Sequence, residues 1–191
     1  DAGLYDLLLN PRDRSYTITD FLALLDQAGL EPAALMEPAR YDPALFLPDP
    51  RLRARLAPLP WQERAAIAED LAGNMATHVA YVVRKHASVT KPDPLEPDAV
   101  PIMREIPGEE LAKQMTPDNM LPFHFGTLVV PIPPPPQARG ILPLIDGERT
   151  VGELAAILAT RGVNAEKFRH VWQESFHILE RLNRVLLRAP A

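Results

Sequence analysis

Five histidines and no cysteine bound the chemistry available to this chain. Without thiols there is no disulfide, no thiolate metal site and no cysteine nucleophile. One histidine pair has useful spacing. His170, Glu174 and His177 fall at i, i+4 and i+7, which on a helix shares one face and suits a metal. The same face carries Gln173, Glu180 and Arg181, opposite Phe168, Trp172 and Phe176, as a solvated face does, so no metal is assigned. His124 lies between Phe123 and Phe125 with no carboxylate beside it, which reads as a packed or loop histidine rather than a base. Ser15, Ser88 and Ser175 lack any G-x-S-x-G context. The carboxylate pairs Glu69-Asp70 and Glu109-Glu110 read as solubilising charge on polar helix faces. The nine glycines are scattered and form neither G-x-G-x-x-G nor a P-loop, so no phosphate cradle of bare backbone is written into the chain.

Composition narrows the function classes further. The 191 residues are 47% hydrophobic, enough to bury a core, and carry a formal charge of -5, which gives no general attraction to a phosphate backbone. No long Lys/Arg run and no stretch of about 18 apolar residues occurs. Nucleic acid is disfavoured as a partner, no membrane segment is expected, and the chain fits a cytoplasmic protein. It begins at Asp1 rather than Met, as a segment of a longer protein does. Proline, at 22 residues, runs at about twice ordinary usage. Its clusters exclude long helices over residues 92–107 and 131–136, so residues 85–106 read as a connection and "PIPPPP" as a stiff polyproline strut.

These residues need elements to position them. Thr17 with Asp20 forms a capping box for a helix carrying Phe21, Leu24, Leu25 and Ala28 and stopped by Gly29. Residues 30–36 suit a short strand or an extended connection. Asp42-Pro43 and Asp49-Pro50 each predict an N-cap followed by proline at the first helical position. The spacing of Trp61, Ala65, Ala68, Leu71, Ala72, Met75, Val79 and Val82 predicts a helix over residues 60–84. Residues 98–106 and 121–132 favour extended structure, with "GEELAKQM" as a short helix between them. Asp146-Gly147 turns the chain into a second capping box, Thr150 with Glu153, and Arg161-Gly162 ends that helix. Asn164 then caps the strongest amphipathic segment, with Phe168, Val171, Trp172, Ser175, Phe176, Leu179 and Leu182 on one stripe. "RVLLRAP" reads as a closing strand after a turn at Asn183 and Arg184.

The C-terminal order of capped helix, turn, long helix and strand outlines a winged-helix-like domain, with a simple antiparallel helix pair as the alternative. As a DNA reader its second helix presents alternating charge, which is thin for a phosphate footprint and favours protein contact.

Several phrases resemble a known family. The D-L-x-L-x-P start at Asp6, the Tyr16-Thr17 lead into a helix ending Ala28-Gly29-Leu30, and the Tyr41-Asp42-Pro43 step resemble the region following the cofactor-binding core in bacterial class I S-adenosylmethionine-dependent methyltransferases. "L-I-D-G-x-R-T-x-x-E-L" at residues 144–154 resembles a phrase of the winged-helix-like C-terminal domain in bacterial protein-lysine methyltransferases. The family's methyl-donor site lies in a Rossmann-like domain whose glycine-rich loop and acidic residue have no counterpart here, so no catalytic or cofactor-binding residue carries over.

The resemblance implies a non-catalytic substrate-recognition or regulatory region of such an enzyme. S-adenosylmethionine would belong to the full-length enzyme, with no cofactor in this chain. The implied partners are the catalytic domain in cis or trans, a protein substrate and a second copy of the chain. The expected fold is mainly α with short β segments (α+β): a helical accessory region over 1–84, a Pro-rich connector with short strands over 85–136, and a winged-helix-like domain over 137–191. Trp61, Phe123, His124, Phe125, His170, Gln173 and His177 are the candidate partner contacts. A free-standing winged-helix interaction or transcription-linked module is the alternative function.

Overall fold

The computed structural model describes residues 14–87, 90–126 and 128–190. The D-L-x-L-x-P start and Ser88 lie outside them. Helix α1, Ile18–Gln27, begins at the Thr17 capping box, in which the Thr17 hydroxyl accepts from the Asp20 N–H and the Asp20 carboxylate accepts from the Thr17 N–H. Gly29 at φ +71° reverses the chain where a side chain would strain it. Strand β1, Leu30–Leu35, follows and pairs antiparallel with β2, Ala80–Arg84; the register shifts between Pro32 and Ala34. Asp42 and Asp49 each accept from the N–H two residues on, with proline at the first helical position, and start two short helices, the 3-10 turn Pro43–Leu45 and α2, Pro50–Leu56.

Helix α3 spans Trp61–Ala72 and stops at Gly73, which is left-handed at φ +62°. The helix predicted over residues 60–84 therefore needs correction. Val79 and Val82 recur at helical spacing, but they belong to a β-branched run that finds a partner in β1 once Gly73 has closed the helix. Of the predicted stripe, Ala65 and Ala68 are buried within α3.

Beyond β2, the chain runs to β3, Val100–Met103, and then α4, Gly108–Gln114. The ribbon of β4, Leu121–Phe125, and β5, Leu128–Ile132, sets Pro122 opposite Pro131. The first of the prolines read as a strut is therefore part of a strand. Residues 138–144 are helical, in α5, Ala138–Ile141, and the 3-10 turn Leu142–Leu144. Helix α6, Val151–Thr160, starts at the Thr150–Glu153 capping box, and α7, Ala165–Arg181, starts at Asn164, whose side chain accepts from the Lys167 N–H. Asn183 turns the chain at φ +55° into β6, Val185–Arg188.

The partner of β6 is β3, drawn from the segment read as a connection, with Val100 opposite Arg188 and Met103 opposite Val185. The main core runs from Ala39 through Phe123, Phe125, Leu154 and Trp172 to Val185. A smaller cluster of Ile18, Leu35, Tyr41 and Ala65 holds α1 and α3 to the first ribbon. The architecture is mainly helical α+β with short antiparallel strands. Among the described residues no helix is long and apolar enough to cross a membrane.

Candidate functional site

A hydrogen-bonded chain links three parts of this fold. Tyr41 ends the 3-10 turn Pro38–Tyr41, Glu69 lies on α3, and His78 precedes β2. The Tyr41 hydroxyl is 3.0 Å from His78 Nδ1, and His78 Nε2 is 3.0 Å from Glu69 Oε1. The other Glu69 oxygen accepts from the Ile18 N–H at 2.8 Å, satisfying a free donor in the first turn of α1. Phe21 stacks on the His78 ring at 6.0 Å. One proton arrangement satisfies every member: the Tyr41 O–H donates to Nδ1, and the Nε2–H donates to the carboxylate.

Burial pushes the Tyr41 phenol up to about 12; Arg40 pulls it down, while Glu69 and Glu37 push it further up. At neutral pH the phenol keeps its proton, and the His78 lone pair that would act as a base already accepts from it. The chain is therefore a strut joining α1, α3 and the 3-10 turn.

The alkaline consequence has a definite sign. A folded value above the unfolded 10.0 means that the stabilisation is complete below about pH 10 and is lost as pH rises towards 12, with a ceiling of about 2–3 kcal/mol. Ultraviolet titration of phenolate is expected to show a transition near pH 12 that is absent from Tyr41→Phe. The variant is also expected to lose less stability between pH 10 and 12 than the parent.

Tyr41 also lines a cleft of about 390 Å³ bounded by β1, the start of α3 and the end of α7. Residues 33–35 continue into an adjoining groove of about 680 Å³, whose far wall includes Phe176, Leu186 and Leu187. Three cations reach the cleft: Arg64, Lys91 and Arg181. Arg181 is paired with Asp42, and Lys91 lies 3.3 Å from Glu180. Arg64 has no ion pair among the described residues, and its Nε is buried without a hydrogen-bond partner. A guanidinium lining a cleft suits a planar oxyanion.

The structure brings three of the sequence candidates to this cleft and groove. Trp61, 39% exposed, stands at the cleft, and Gln173 and His177 line the groove. His170 points away to solvent, with Nε2 3.5 Å from Glu174. Among the described residues no group of three His, Asp or Glu side chains is arranged to hold a metal ion. His124 is exposed on β4.

Phe123 and Phe125 need correction as partner contacts. They are 2% and 1% exposed, Phe125 packs edge-on to Phe46 at 5.2 Å, and the Arg40 guanidinium covers its ring at 4.6 Å. Both face the core because β4 alternates and its other face carries His124 to solvent.

Sequence reading missed Arg64, His78, Lys91 and the site role of Tyr41, and the reading of Glu69 as solubilising charge needs correction, because its carboxylate accepts from the Ile18 N–H and meets His78 Nε2. The one signal for them is local to Tyr41, in the Tyr41-Asp42-Pro43 step, and nothing in sequence joins it to the others.

Among the described residues the strands form three antiparallel two-stranded ribbons. The chain is a mainly helical α+β protein with a cleft to which Arg64, Lys91 and Arg181 contribute. No protein-family model matches the chain.

Proposed function

We propose that this chain is a substrate-recognition or regulatory region, itself non-catalytic, of a class I S-adenosylmethionine-dependent methyltransferase, with residues 137–191 as a winged-helix-like domain. The observation that carries the reading is the groove: it presents a guanidinium with no ion pair among the described residues and apolar walls, and Tyr41 in its lining is held by a hydrogen bond to His78. Such a surface suits binding and orienting a ligand. The phrases that resemble the methyltransferase region support the assignment: Tyr16-Thr17 leads into α1, Tyr41 anchors the strut, and residues 144–154 form the turn and cap of α6. The partners on this reading are a catalytic domain in cis or trans and a protein substrate, in the cytoplasm.

Calorimetry tests it. The 191-residue chain is expected to give no saturable heat with S-adenosylmethionine up to about 1 mM, a threshold that corresponds to roughly 4 kcal/mol of binding free energy. The full-length product of its gene, alone or together with a catalytic partner, is expected to bind the same compound. Micromolar binding by the 191 residues alone, or none by the full-length product with or without such a partner, overturns the proposal.

A further inference from the structure

We infer that the groove between β1 and α7 takes an extended peptide carrying an acidic side chain, its backbone along the free edge of β1 and its carboxylate on Arg64. The inference names a ligand class for the recognition role proposed above and rests on that reading.

The first argument is the geometry of β1. Residues 32–35 all line the cleft although the register shift between Pro32 and Ala34 interrupts the strand's alternation, and no residue of β2 is among those lining it, which leaves to it the edge of β1 away from β2. The ribbon has two strands, and β2 occupies the other edge of β1. A strand edge open to a groove offers main-chain hydrogen bonds that an extended peptide satisfies by adding a strand.

The second argument is the far wall. Leu186, 46% exposed, and Phe176 stand across from β1, an apolar surface suited to alternate side chains of a bound strand.

The third is charge. Asp42 and Glu180 already hold Arg181 and Lys91, so the groove calls for one further anion, at Arg64. That guanidinium lies in the same cleft as the edge of β1, so a single ligand reaches both. A small organic acid would use Arg64 and leave the edge and the apolar wall empty.

Fluorescence anisotropy with the full 191-residue chain tests this, using a labelled hexapeptide of alternating valine and glutamate and its glutamine counterpart. The glutamate peptide is expected to bind at least about tenfold more tightly, as a charge-assisted hydrogen bond allows. Arg64→Gln is expected to erase that preference while leaving the glutamine peptide unchanged, and Arg64→Lys to restore part of it. Circular dichroism establishes that each variant is folded. Equal binding of the two peptides, or a preference that survives in Arg64→Gln, overturns the inference. Competition by glutarate at the concentration of the peptide would make the ligand a small acid and also overturns it. So does sedimentation showing a dimer that the peptide does not dissociate, since a second copy then covers the edge. S-adenosylmethionine binding by the full-length product is measured separately, so loss of the peptide result and loss of the methyltransferase reading remain distinguishable.

Discussion

Trp172→Ala is expected to lower stability by about 3–5 kcal/mol, measured as a fall in the urea midpoint at unchanged slope. The indole has no solvent exposure. It lies parallel to Phe168, with ring centroids 6.4 Å apart and 3° between planes, and tilted against Phe176 at 5.7 Å. Truncation removes the contacts among these three rings on α7 and leaves a cavity that the helix cannot close. It also removes a hydrogen bond of 2.6 Å from Nε1 to the Pro94 carbonyl, which holds the proline-rich segment against α7. Trp172→Phe separates the two contributions: it keeps most of the packing and gives up the hydrogen bond, at an expected cost of about 1–3 kcal/mol. A loss below about 1 kcal/mol in Trp172→Ala would mean that α7 does not seat in the core as described.

Gly108→Ala is the second large effect, and its cause is space. Gly108 opens α4 against the 3-10 turn Leu142–Leu144, and an added Cβ would lie 1.9 Å from the Leu142 carbonyl oxygen and 2.8 Å from its carbon. The obstacle is backbone, so the helix and the turn must separate, and both are buried at that point. The expected cost is about 1–3 kcal/mol or more, typical of overpacking. Alanine's higher helix propensity returns at most about 1 kcal/mol and does not change the sign. Gly140→Ala is the matched control. It lies in α5, a Cβ there meets nothing within 4 Å, and the substitution is expected to be neutral or stabilising by up to about 1 kcal/mol. Thermal unfolding of the pair measures the difference. Equal melting temperatures would remove the close approach of α4 to the turn.

The same contrast between local and distant causes explains what was legible in the sequence. The caps of α1, α6 and α7 were readable because donor and acceptor sit three residues apart: Thr17 with Asp20, Thr150 with Glu153, Asn164 with Lys167. Residues 60–84 misled because Met75, Val79 and Val82 keep helical spacing past Gly73, while the strand that claims Val82 pairs it with Pro32, fifty residues earlier. In β4 the extended structure is legible locally, but which face meets Phe46 and Arg40 depends on elements far away in the chain.

Local sequence sets where α1, α6 and α7 begin, which stripe of α7 is apolar and that residues 98–106 and 184–190 favour extended structure, and it contains no glycine-rich phosphate cradle. Tertiary structure alone decided that those two strands pair with each other and that Tyr41, Glu69 and His78 form one strut. It also brought Arg64, Lys91 and Arg181 to one cleft. The physical reason is range: a cap or a turn is settled by hydrogen bonds within a few residues. A groove between β1 and α7 exists only after the whole core has excluded water and set its walls at a fixed distance.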